Sequence, residues 1–445
     1  MSKLTSLQRK LAYLVAMLVL FIPVIVLGRP SEGGKSANAD PGGVLAQLRR
    51  DNDLKESALG KVDPASATMN LVLLGMRGIA VNLLWQQAQD LQKTKSWAEL
   101  RAVTESITQL QPHYLKVWDH SAWNLAYNVS ADWDMVPDRY FWVKEGMKFY
   151  QQGVEQNFKY PEMQHKTGIC FMHKIGRADE WRQYRRYFLK DPNTELFGDG
   201  PDPAVNPEAR DNHLVAEKWF RESNRVMTEY GKEQHVMAHP IFRSYPGRAI
   251  IEYAQAKQKE GMFGEVTRQA WENAYDEWVN KWGREDFPSE AGPIHLELSR
   301  SELEDLRNRG ETDKIRRIDQ YQAMCNFHYW RLRCQVEREP NTVDARRELY
   351  EGEQASFRGD FVEARKLLES GMQKYADMLK KYPELGEHSE TIEDAMVAML
   401  EWRSVLQIEG EPVPDNYPLK AVWENNQGGM SDYTLEYRRR RNQYK

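Results

Sequence analysis

The stretch ASFRGDFVEARKLLESG, at residues 355–371, constrains the fold most, because it contains a joint between two helices. After Asp360, the residues Ala364, Leu367, Leu368, Gly371, Met372, Tyr375, Met378 and Leu379 follow at steps of three and four. They form one helix face, which runs to Tyr382 before Pro383 stops it. Before Arg358, the residues Leu349, Gly352 and Ala355 recur at three-residue steps. Gly359 suits a left-handed C-cap, and Asp360 can cap the next helix. Arg358-Gly359-Asp360 therefore reads as a helix-pair turn, since the tripeptide carries no adhesion mechanism without its loop context.

The same joint recurs. KSWAEL (95–100), GRADEW (176–181), GMFGEV (261–266) and GDFVEA (359–364) all have Glu at their fifth position, and all but the first begin with Gly. Trp97, Phe263 and Phe361 place an aromatic at the third position. Ala88, Ala254 and Gly352 stand seven residues before the respective first positions, small enough for close helix contact. Pro112 follows Trp97 by 15 residues, the footprint of a repeat of about 34 residues. This pattern resembles the tetratricopeptide repeat (TPR), in which a small residue, a Gly-x-aromatic turn, an Ala in the second helix and a closing Pro set the packing. Ala88, Trp97 and Pro112 match part of it, and Gly352, Gly359, Phe361, Ala364 and Gly371 match most of it. Ala376 stands where the last closing Pro would fall, and the units are irregularly spaced. A second resemblance is carried by LVLLGMRGIAVNLLWQQA, LQPHYLKVWDHSAWNLAYNVS, RYFWVKEGMKFYQQG and HKIGRADEW. These look like an uncharacterised membrane-anchored family of planctomycete-type bacteria, a resemblance that brings no activity with it. An iron-responsive label carried by some relatives has no support here, for there is no Cys-x-x-Cys.

LAYLVAMLVLFIPVIVLG (11–28) has no charge over 18 residues and just reaches the length that crosses a bilayer. Arg29-Pro30 follows directly, which suits signal cleavage poorly, and a retained anchor is expected. Lys3, Arg9 and Lys10 against Arg29 and Lys35 place the N-terminus in the cytoplasm by one charge. The expected organisation is a cytoplasmic N-terminus (1–10), an anchor (11–28), a linker (29–66), N-terminal helix pairs (67–190), a loop boundary (191–213), C-terminal helix pairs (214–408) and a C-terminal extension with a basic tail (409–445). MNLVLLGMRGIAVNLLW (69–85) carries Asn70, Arg77 and Asn82 and reads as a soluble helix. Net charge is −5, so the whole chain has no bias toward nucleic acid.

The densest polar-aromatic stretch is WNLAYNVSADWDMVPDRYFW (123–142). Trp123, Asn124, Tyr127 and Asn128 share a helix face. Asp132, Asp134 and Asp138 follow on a loop, then Arg139 and Tyr140. These nine residues are the candidate binding edge, with carboxylates near aromatics suiting sugars or basic peptides. The alternative is an inter-repeat loop whose carboxylates cap the next helix. No catalytic set stands out: Gly-rich phosphate loops and the Gly-x-Ser-x-Gly elbow are absent. Cys170/His173 and Cys325/His328 pair on helix faces, but lie too far apart in sequence for an ordinary zinc set. His235 and His239 have metal-like spacing without a suitably placed carboxylate. No metal and no cofactor are expected. Cys325 and Cys334 read as positions on one helix, too far apart to bridge. Arg438–Arg441 read as a solvated tail.

The expected fold is all-α: one N-terminal transmembrane helix, then an irregular TPR-like α-solenoid of antiparallel helix pairs. The expected function is a scaffold that binds unknown protein partners on its concave face. It would be tethered to the inner membrane with most of the chain outside the cytoplasm, in envelope assembly or maturation. The alternatives are an envelope carbohydrate-active enzyme with an α/α-toroid cleft, and a structural subunit of a membrane complex.

Overall fold

The computed structural model describes residues 77–231 and 238–442, with the isolated positions Val15, Val19, Ile22 and Val44. The described residues are helical throughout, apart from turns, loops and one isolated antiparallel bridge between Phe287 and Ile294. None of the described helices is long and apolar enough to cross a membrane. The anchor assigned to residues 11–28 and the linker at 29–66 lie outside the described residues, apart from the four isolated positions. The first eight residues of the 69–85 stretch and His235 also lie outside them.

The chain divides into two compact units, residues 1–118 with 152–160, and residues 119–151 with 161–445. In the first, α1 (Arg77–Lys93) packs on α2 (Trp97–Leu110). Val81, Ala88, Leu100, Val103, Ile107, Leu110 and Val117 form its core. Pro112 ends α2 and lends its carbonyl to Trp118 Nε1 at 2.8 Å and Asn157 Nδ2 at 2.9 Å, so a residue without an N–H anchors the next turn through its C=O.

The division falls within two helices, α3 (Leu115–Trp123), which runs into a π-helical turn at Asn124–Val129, and α4 (Val136–Gln156), each with residues in both units. Then come α5 (Pro161–Ile169), with a second π turn at Cys170–Lys174, α6 (Trp181–Leu189) and the single turn α7 (Thr194–Phe197). The chain continues through α8 (Asn212–Tyr230), α9 (His239–Arg243), α10 (Tyr245–Lys259) and α11 (Glu265–Tyr275). Next are α12 (Arg300–Asn308), α13 (Thr312–Cys325) and α14 (Phe327–Val336). The last elements are α15 (Pro340–Phe357), α16 (Phe361–Lys381), α17 (Ser389–Glu409), α18 (Lys420–Asn425) and α19 (Met430–Asn442). Packing follows chain order: α5 on α8, α8 on α10, α10 on α11, α15 on α16, α16 on α17 and α17 on α19.

The joints explain this order. After α15, Gly359 takes φ +80°, its N–H bonds Ser356 O at 3.0 Å, and Asp360 N–H reaches Ala355 O at 3.0 Å. That is a Schellman turn, which satisfies carbonyls the helix end would otherwise leave open. Asp360 then accepts from Glu363 N–H at 3.2 Å and starts α16. Gly261, before Phe263, makes the same turn after α10, with Met262 N–H on Lys257 O at 2.9 Å. Lys95, before Trp97, makes it after α1 at φ 57°, where a Cβ is strained. Gly176 differs: a Cβ there would stand 2.6 Å from His213 Cε1, so that glycine serves close approach instead of a left-handed turn.

Between α15 and α16 the packing is reciprocal. A Cβ on Gly352 would lie 2.8 Å from Leu368 Cγ, and one on Gly371 2.9 Å from Leu349 Cγ. Ala355 and Ala364 are fully buried in the same seam, and Ala254 is fully buried in α10. Phe361 packs half-buried on the core.

Two sequence expectations, on Cys325/Cys334 and on the arginine tail, are corrected. Cys325 and Cys334 do not share a helix, because Asn326, at φ 54°, separates α13 from α14. All three cysteines are buried free thiols. Residues 191–213 lie inside the second unit and end with the first residues of α8. Asp191 and Asp202 are buried there against the Lys144 ammonium, with Lys148 2.9 Å from Asp202. The arginine tail is not simply solvated: Arg439, Arg440 and Arg441 end α19 in ion pairs with residues far back in the chain.

Candidate functional site

Two π turns build the site. Inserting a residue into a helix widens it locally and turns side chains out of register, and such bulges gather at functional positions. The turn at Asn124–Val129 packs against the one at Cys170–Lys174. Between them and the start of α6 lies a cavity of about 530 Å³. Tyr127, Ser130 and Arg139 line one side, and His173, Lys174 and Arg177 the other. Asp179, Glu180 and Tyr184 complete the wall, with Ala131 and Ala178.

The electrostatics follow from who is paired. Arg139 Nη1 pairs with Glu180, and its Nε donates to Trp133 O at 2.5 Å. Asp179 accepts from Arg439 Nε at 2.9 Å, and Arg177 pairs with Glu252. The Lys174 ammonium lies 5.0 Å from the Tyr127 ring centroid and 5.9 Å from that of Tyr184, a cation between two π faces. Desolvation pulls its pKa down from the ordinary lysine value. Desolvation, helped by Arg177, pulls His173 down to about 4, so the imidazole is neutral at pH 7. Burial pushes both Tyr127 and Tyr184 up, aided at Tyr184 by Glu180, which keeps these phenols protonated. The walls thus carry three cations against two carboxylates, each carboxylate already holding a guanidinium.

This arrangement suits binding better than covalent catalysis. Ser130 Oγ donates to Ala126 O at 2.6 Å and is buried, so no base activates it. Asp179 and Glu180 are neighbours in sequence on one wall rather than carboxylates facing across a cleft. No group of His, Cys, Asp and Glu among the described residues could hold a metal ion.

Of the nine residues singled out in the sequence, Tyr127 and Arg139 line the cavity. Trp123 stacks on Tyr127 at 5.8 Å, and Asn128 Nδ2 donates to Asn124 Oδ1 at 2.8 Å, so these three support the π turn. Tyr140 is buried behind the wall against Tyr184 and Tyr187 at 5.8 and 5.5 Å. Asp132, Asp134 and Asp138 are exposed and do not line the cavity. The second wall came from residues 173–184, which sequence reasoning treated as a repeat turn. Its available signal was HKIGRADE, in which two basic residues flank a glycine and two acidic residues follow.

No protein-family model, curated protein or solved structure matches this chain.

Proposed function

We propose that the chain is a membrane-tethered scaffold whose helix-pair region recognises a protein partner. The observation that carries this is the α15–α16 pair: a Schellman turn, a capping Asp360 and two reciprocal glycine contacts, the elements of a TPR-like unit. Helices that pack mainly on their chain neighbours make an extended surface without needing an active site. The cavity supplies a recognition pocket in that surface, rich in guanidinium, ammonium and phenol donors. In this reading the tether is the apolar run at 11–28 in the inner membrane, and the basic residues before it hold the N-terminus in the cytoplasm. The glycan-cleaving alternative has less support, since the cavity carboxylates are each paired with arginine.

The test is in-cell crosslinking of tagged full-length protein, purification from membranes and mass spectrometry. An envelope protein captured reproducibly by the parent, and lost with Arg139→Glu and Lys174→Glu, is the expected result. A chain recovered alone from well-solubilised membranes would overturn the scaffold reading.

A further inference from the structure

Helix α19 is held in an unusual way. None of its residues is buried, and Leu435 is 69% exposed. Met430 and Tyr433 pack on the core, Tyr437 is half-buried beside Ser404, and the Arg441 guanidinium stands over Phe357. Charge adds to this packing. Arg439 Nε donates to Asp179 Oδ1 at 2.9 Å and its Nη2 to Arg177 O at 2.8 Å. Arg440 Nη2 lies 3.3 Å from Asp394 Oδ1 and 3.8 Å from Glu393 Oε1. Arg441 Nη1 donates to Ser404 Oγ at 3.3 Å and lies 3.6 Å from Glu401 Oε1, while its guanidinium stands over the Phe357 ring. Successive helix positions point about 100° apart. Three consecutive arginines with partners on the 177–179 turn, on α17 and at the end of α15 therefore place α19 in a groove, not on a flat face.

Carboxylates line the groove: Glu393, Asp394 and Glu401 each lie within 4 Å of an α19 guanidinium. Glu353 is pushed up to about 7 by desolvation, with Glu401 adding to it, even though Arg440 and Arg441 oppose the shift. Glu393 is raised in the same way, by burial first and then by Glu436 and Asp394. The nearby guanidiniums of Arg333 and Arg346 are engaged by Glu337 and Glu390 as well as Asp394.

We propose that this groove is a recognition site for an arginine-rich helix of a partner protein, and that α19 is its resident, displaceable occupant. The inference rests on the scaffold reading and specifies the partner's chemistry. Charge complementarity selects the occupant: a basic helix with arginines at consecutive positions replaces each of the α19 pairs. Because Arg439 also ties down Asp179 and the Arg177 carbonyl at the cavity wall, displacement would free that wall at the same time.

The test uses the full-length chain, its Arg439→Ala/Arg440→Ala/Arg441→Ala variant, and a fluorescein-labelled synthetic peptide with the sequence of residues 430–442. Hydrogen exchange should show α19 released in the variant, each lost pair raising exchange by roughly two- to fivefold. Sodium chloride at 0.5 M should loosen α19 in the parent in the same direction. The peptide should bind the variant at least tenfold more tightly than the parent, and adding Glu393→Lys should abolish that binding. Unchanged protection of α19 in the variant would overturn the proposal. So would a variant with normal helical circular dichroism that fails to bind the peptide, or binding indifferent to Glu393→Lys. Peptide binding together with a chain that captures no partner in cells would sink the scaffold reading and leave the groove standing.

Discussion

Replacing Gly352 by alanine tests the α15–α16 seam directly. In an ordinary helix interior this change stabilises by about 1 kcal/mol, because glycine loses more backbone freedom on folding. Here the new Cβ would lie 2.8 Å from Leu368 Cγ, 3.1 Å from its Cδ2 and 3.2 Å from its backbone nitrogen. Carbon contacts are comfortable at about 3.5–4.0 Å. A rotamer change could move the side-chain atoms but not the nitrogen, so α16 itself must shift. Overpacking of this kind costs about 1–3 kcal/mol, which offsets or exceeds the propensity gain, and net destabilisation of about 0–2 kcal/mol is expected. Urea denaturation followed by circular dichroism measures it. Leu368→Ala alone should cost about 2–5 kcal/mol, since Leu368 is buried at the seam. In that background Gly352→Ala should turn neutral or stabilising, giving a coupling of at least about 1 kcal/mol. A raised midpoint for Gly352→Ala in the parent, or additivity of the two changes, would refute the close-contact argument.

Three further outcomes are expected. Lys95→Gly should stabilise α1–α2 by about 1 kcal/mol, because φ 57° strains any residue with a Cβ, and thermal melts of the two proteins decide it. Glu353, with its folded pKa raised to about 7, binds more protons folded than unfolded between about pH 4.5 and 7. Its contribution to stability therefore falls as pH rises through that window. Glu353→Gln should raise the melting temperature at pH 8 and flatten its pH dependence, and a steeper dependence would contradict the assignment. Arg346→Met leaves Glu337 and Asp394 without the guanidinium that Nη2 and Nη1 bring to 2.6 and 2.7 Å, and should cost about 3–5 kcal/mol by chemical denaturation. A loss below about 1 kcal/mol would mean that Arg333 and Arg440 compensate fully.

Local chemistry made the joints readable. Gly359, Gly261 and Asp360 act through their own backbone and near neighbours, so the sequence window that contains them contains the cause. The break at Asn326 was not readable in this way: neither Gly nor Pro marks it, and Asn tolerates the left-handed region without advertising it. The candidate site was half legible. Tyr127 and Arg139 announced themselves in an aromatic-rich stretch, whereas Lys174, Arg177 and Glu180 looked like ordinary turn charges until the two π turns met.

By itself the sequence determined that the described chain is helical, where several helices stop, and which small residues sit at their crossings. Period and capping act within a few residues and need no partner. Only the tertiary structure decided which charges face one another. Arg439 reaches Asp179, 260 positions away, and Lys144 meets Asp191 and Asp202 in a stretch that reads as a loop boundary. Coulomb attraction depends on distance and burial after folding, so no local pattern in the sequence could have marked α19 as docked or the carboxylates beneath it as a groove.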